Sequence, residues 1–191
     1  NILKAFLINF LFIGIINAAT ICPSISPKLA GDGPTDQVEA IINDVVCAFI
    51  DLHNQNNGDL TSTLNLTKKK IIPYIDLEHS TELALGNYWT QLDTRQKKIF
   101  ERDIKNSLIN DYVGILAEIK EWEELNVLVD QNFSQNGNTA RVKIMVSLDN
   151  SNARATVVLK LINKNRWKIY DLEYQSISIL DIEKIGYDSK I

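Results

Sequence analysis

The chain changes its hydrophobic rhythm once, near Lys120, and the change confines it to helices followed by a sheet. Before that point apolar residues recur every three or four positions, the period of a helix with one buried face. Val38, Ile41, Ile42, Val45, Phe49 and Leu52 form such a stripe in a helix beginning near Asp36, a candidate N-cap, and ending in the polar turn Asn54 to Gly58. A second helical stretch runs from about Thr61 to Ile72 and stops at Pro73, which cannot continue the hydrogen-bond ladder. Asp76 can cap a short third helix closing at Gly86. Asp93 with Gln96 resembles a capping box, and it opens the longest helix, about Thr94 to Ile119. That helix carries the stripe Phe100, Ile104, Leu108, Tyr112, Ile115 and Ile119.

After Lys120 the period is two, as in half-buried strands. Leu125, Val127 and Val129 alternate with polar residues, then Val142, Ile144, Val146 and Leu148, then Ala155, Val157, Leu159 and Leu161, then Trp167 and Ile169. Gln135 to Asn138, Asp149 to Asn152 and Asn163 to Asn165 supply hairpin-turn residues between them. The expected fold is α+β, N-terminal helices packed on one face of a four-stranded antiparallel sheet. Facing stripes of this kind ordinarily make a core; slightly splayed, they would enclose a dry apolar cavity. Periodicity does not separate the two.

The N-terminus points to export. Lys4 precedes the apolar run Ala5 to Ile16, and Asn17-Ala18-Ala19 offers small residues for cleavage, the order of a secretory signal peptide over residues 1–19. The apolar run is about a dozen residues, against roughly 20 for a spanning helix. Residues 20–35, rich in Ser, Gly and Pro, suit a flexible leader, and residues 36–191 a single domain: helices over about 36–119, sheet over about 122–175, and a C-terminal segment 176–191. The net charge is -4, with Lys68-Lys69-Lys70 as the only basic run, so a nucleic-acid footprint is missing. Cys47 falls on the polar face of the first helix, where a buried structural thiol would not sit. A Cys22–Cys47 disulfide is therefore a candidate in an oxidising compartment, worth about 3 kcal/mol for a loop of about 25 residues.

Catalytic signatures are sparse. There is no Gly-rich phosphate loop, and His53 and His79 lack partners at zinc-site spacing. Glu118, Glu121, Glu123 and Glu124 fit a solvated helix end. Asp171 beside Tyr170 is the best acid–base pair, the basis of an alternative reading as a small cone-shaped enzyme.

Three blocks carry a family resemblance: Ile71 to Asp76, Ala84 to Trp89, and Asp93 to Gln96 with Phe100, Leu108 and Tyr112. With Trp167 to Leu172 and Ser176 to Ser178, they resemble the MlaC family, the toluene-tolerance auxiliary component of ABC-type lipid transport systems. The sequence departs from the family pattern after Ser178, over Asp181 to Tyr187. The resemblance implies a periplasmic, non-enzymatic carrier without cofactor or catalytic residue, holding a glycerophospholipid by its tails. The implied partners are an inner-membrane MCE-domain ABC transporter complex and an outer-membrane lipoprotein–porin complex, in a cycle that maintains outer-membrane lipid asymmetry. A binding protein for another apolar ligand, such as a hopanoid, is the further alternative. Resemblance and periodicity together nominate Leu108, Tyr112, Val142, Ile144, Val146, Ala155, Val157, Leu159, Trp167, Ile169 and Ile177 as cavity lining, with Tyr74 and Leu83 at the mouth. Tyr88, Trp89 and Asp171 are assigned to holding the fold, Asp171 through a cap or strand-end hydrogen bond.

Overall fold

A computed structural model describes residues 32–148 and 154–188. The proposed signal peptide, most of the leader, Cys22 and the Asp149 to Asn152 turn lie outside the described residues. Five helices, α1 (Pro34–Asn54), α2 (Leu60–Lys70), α3 (Leu77–Leu85), α4 (Thr94–Glu118) and α5 (Ile179–Asp188), accompany one antiparallel sheet. Its strands are β1 (Leu125–Val129), β2 (Ser134–Asn136), β3 (Thr139–Leu148), β4 (Arg154–Asn163), β5 (Trp167–Tyr174) and β6 (Ile177–Ser178).

The helix starts follow local chemistry. α1 begins two residues before the expected cap: Gly33 is the N-cap, Pro34 opens the first turn, and the Asp36 carboxylate accepts the Gly33 N–H (3.3 Å). Proline suits that place because its missing N–H would have had no intrahelical partner. Asp36 is thus the third helical residue rather than the cap. Asp59 caps α2, Asp76 caps α3 through the His79 N–H (3.0 Å), and the reciprocal Asp93–Gln96 box opens α4. Gly86 ends α3 at a φ of 51°, where a β-carbon would be strained.

The sheet has six strands, not four. β1 and β2 lie end to end along one edge of β3, pairing with Ile144 to Leu148 and Thr139 to Arg141 respectively. Asp130, whose carboxylate accepts the Asn132 N–H (2.9 Å), interrupts what sequence alternation presents as one strand. β4, β5 and the two-residue β6 follow in order. Helices cover one face: Val38 and Ile41 of α1, Ala84 of α3, and Ile104 and Leu108 of α4 meet Ala140, Val142, Ile144, Leu159, Leu161, Trp167 and Ile169 in one core. Cys47 is disulfide-bonded, and the chain's other cysteine is Cys22. No helix among the described residues is long and apolar enough to cross a membrane.

One irregularity decides the chemistry of β5. Lys160 pairs with Asp171 but Leu161 pairs with Ile169, leaving Tyr170 as the extra residue of a bulge. Simple alternation from Trp167 and Ile169 would send Asp171 into the apolar core. The bulge reverses the parity, so Leu172 partners core Leu159 while Asp171 is set beside Lys160.

Candidate lipid-binding cavity

A small apolar cavity of about 10 Å³, room for about one water molecule, lies where α4, β5 and α5 converge. α4 contributes Leu108 and Tyr112, one helical turn apart; β5 contributes Ile169 to Leu172; α5 contributes its first two residues, Ile179 and Leu180; and Ile75 enters from the segment before α3. Ile75 is held there by a parallel bridge to Ile169, and the Asp76 N–H donates to the Ile169 carbonyl (2.8 Å). The Tyr170 carbonyl, displaced by the bulge, accepts the Ser80 hydroxyl (2.7 Å). These bonds satisfy the exposed edge of β5 and dock α3 on it.

Asp171 is the polar member of the wall and is 6 % exposed. Its Oδ2 accepts the Lys160 ammonium (2.7 Å) and the Ser178 hydroxyl (2.7 Å), and its Oδ1 accepts the N–H groups of Leu172 (2.8 Å) and Leu180 (3.2 Å). With four donors on one buried carboxylate, no lone pair is spare for proton abstraction, and the group works as a strand-end and helix-cap acceptor. Burial opposes the Lys160 charge, but the Asp171 hydrogen bond and charge, with Glu173 beyond it, outweigh burial and raise the ammonium's pKa above its ordinary value. Burial pushes the Tyr112 phenol far above its usual pKa, and the charges of Asp171 and Asp111 add to the effect. The cavity thus meets a neutral phenol, not a phenolate, at any physiological pH.

Of the nominated residues, Leu108, Tyr112 and Ile169 line this cavity. Val142, Ile144, Leu159 and Trp167 sit in the adjoining core, with Val146 and Val157 half-buried against it. Ala155 is half-buried, paired across the sheet with Val146. Tyr74 is half-buried and donates to Asp44 (3.1 Å), beside the Lys70–Asp44 ion pair, away from the cavity wall. Leu83 is 42 % exposed on α3. Ile177 is 57 % exposed, because the β6 register that pairs it with Tyr174 sends its neighbour Ser178 inward. Ile75, Leu172, Ile179 and Leu180 were not nominated. Ile179 and Leu180 had a readable signal, Ser178 as N-cap before an apolar pair with Ile182 and Ile185 at helical spacing. Among the described residues no three His, Cys, Asp or Glu side chains gather to hold a metal ion.

No curated protein matches the chain. Among solved structures, the phospholipid-binding protein from Ralstonia solanacearum, in complex with a phospholipid, superposes with a TM-score of 0.68 at 22 % identity, over 80 % of this chain and 83 % of that one, a shared fold. A family model described as MlaC protein matches residues 39–191, a span that includes α5 and every wall of the cavity. The chain belongs to the MlaC family.

Proposed function

We propose that this chain binds and carries glycerophospholipid, exchanging it between the inner and outer membranes and so maintaining outer-membrane lipid asymmetry. The observation that carries the reading is the apolar cavity between α4, β5 and α5, inside a fold shared with a protein whose structure contains a phospholipid. Acyl chains are retained by burial alone, at about 0.8 kcal/mol per methylene, and a wall whose one carboxylate is saturated by protein donors suits tails better than a headgroup. The work is binding rather than catalysis, since the one buried carboxylate of the wall is occupied by its own protein donors.

Residues 1–19 supply the export signal in this reading, which places the carrier in the periplasm. The partners are an MCE-domain ABC transporter complex at the inner membrane and a lipoprotein–porin complex at the outer. Val157 and Leu159, nominated residues of the inner sheet face, extend the lining once the cavity widens. Widening is required: even a drug-sized ligand occupies a pocket of roughly 300–1,000 Å³, far more than the 10 Å³ of this closed conformation. Organic extraction of natively purified protein, followed by lipid mass spectrometry, is expected to find one phospholipid per chain. A hopanoid in its place would favour the alternative ligand, and no lipid would refute the carrier role.

A further inference from the structure

The walls of the cavity are held in different ways. β5 is paired along its length with β4, and α4 packs against α2 and α3. The α5 wall packs on α3, and it reaches the sheet edge through β6, which hangs on β5 by two residue pairs, Glu173–Ser178 and Tyr174–Ile177. The connection between these strands is a two-residue loop, Gln175 and Ser176, both at positive φ (50° and 63°). Hairpins of this type favour Asn-Gly, because residues with a β-carbon seldom adopt the left-handed region. Neither position here is glycine or asparagine, so the loop keeps a conformation that it would abandon if β6 came away.

The Asp171 carboxylate ties β6 and the first turn of α5 to β5. It accepts the Ser178 hydroxyl and the Leu180 N–H, and the Ser178 oxygen accepts the Asp181 N–H (3.2 Å), so the first turn of α5 is capped through β5. Lys160 fixes the same carboxylate to β4. Farther along, α5 packs on α3, the Ser107 hydroxyl donates to Glu183, and Tyr187 meets Phe100 edge-on at 5.7 Å. Ile182 and Ile185 face outward, 57 % and 70 % exposed.

We infer that β6 and α5 form a lid over the cavity, and that Asp171 with Ser178 is the clamp that sets how often it opens. The inference rests on the carrier reading, because only a ligand larger than the cavity makes opening necessary. Lifting the lid removes Ile179 and Leu180 and bares Leu108, Tyr112, Ile169 and Leu172 as one apolar track from helix to sheet. Asp171 and Ser178 act as positioning residues, through α5 rather than on the lipid. The strained loop favours release and the clamp favours closure, so substitutions at the two places move exchange in opposite directions.

The test uses the purified full chain, loaded with fluorescent phosphatidylethanolamine and mixed with acceptor phosphatidylcholine vesicles. Ser178→Ala removes the cap and speeds transfer by about fivefold, the scale of a lost N-cap. Gln175→Asn combined with Ser176→Gly relaxes the loop in the closed form and slows transfer by a comparable factor. Both variants hold as much lipid at saturation as the wild type. A merely structural role would shift thermal midpoints and leave transfer rates alone. Wild-type rates in both variants, or shifts in the same direction, overturn the lid. Should Ser178→Ala not fold, the loop variant decides alone: slower transfer supports the lid, and an unchanged or faster rate overturns it. A wild type that neither holds nor transfers the phospholipid refutes the carrier reading and the lid with it.

Discussion

The α1 side of the molecule and its α5 side meet the same sheet in different ways. On the α1 side Val38, Phe49, Val142 and Leu161 are completely buried, and Phe49 lies stacked on Trp122 with ring centroids 4.5 Å apart. On the α5 side Tyr112 and Leu172 are only half-buried, a cavity remains, and the closing helix, packed on α3, is joined to the sheet edge through a two-residue strand and one carboxylate. Close-packed interiors resist deformation because every displaced atom loses contacts on all sides. A protein that must admit a large apolar ligand therefore gains from confining looseness to one side. The α1 side holds the sheet, and the α5 side yields.

The largest expected effect breaks the rigid side. Phe49→Ala should cost about 3–5 kcal/mol in denaturant unfolding, while the protein that remains folded carries its usual lipid. Loss of lipid in proportion to stability would erase the distinction between the two sides. Val157→Glu is the complementary change. It puts a charge among Ile144, Leu159 and Tyr174 on the inner face and should cost about 1–3 kcal/mol, with lipid lost from a chain whose circular dichroism is native.

Alkaline pH probes chiefly the yielding side. Burial raises the pKa of Tyr112 and, to smaller degrees, of Tyr74, Tyr170 and Tyr187 above the ordinary 10.0. The folded chain thus holds phenolic protons that the unfolded chain releases. Stability is at its full value below pH 10.0 and falls as pH rises beyond it. The slope is at most about 1.4 kcal/mol per pH unit for each tyrosine. Tyr112→Phe should flatten that decline more than Tyr74→Phe, as read from unfolding curves at successive pH values. The smallest effect belongs to neither side: Leu128→Ala, at an outward position 62 % exposed, should change stability by less than about 0.5 kcal/mol and leave lipid content unchanged.

Much of this division was legible in the residues. The Ile104–Leu108–Tyr112 stripe and the alternation of Val142 with Ile144 and of Leu159 with Leu161 report burial directly, because one face of each element meets the core. Asp76 and Asp93 announce their helices because capping is local chemistry. The features that shape the cavity are not local. The bulge at Tyr170 shows only in the pairing of β5 with β4, and without it alternation assigns Asp171 to the wrong face. β6 is too short for a period, and its register alone turns Ile177 outward and Ser178 inward. A cap or strand-end role for Asp171 is local chemistry, but its partners Ser178 and Leu180 come from seven and nine residues along the chain, across a hairpin turn.

The central claim is that phospholipid tails occupy the space between α4, β5 and α5. Native mass spectrometry of the wild type beside Tyr112→Glu addresses it directly, since the substitution places a charge in that wall without touching the α1 side. The account predicts one bound phospholipid per wild-type chain and none on the folded variant. Equal phospholipid on both would contradict it.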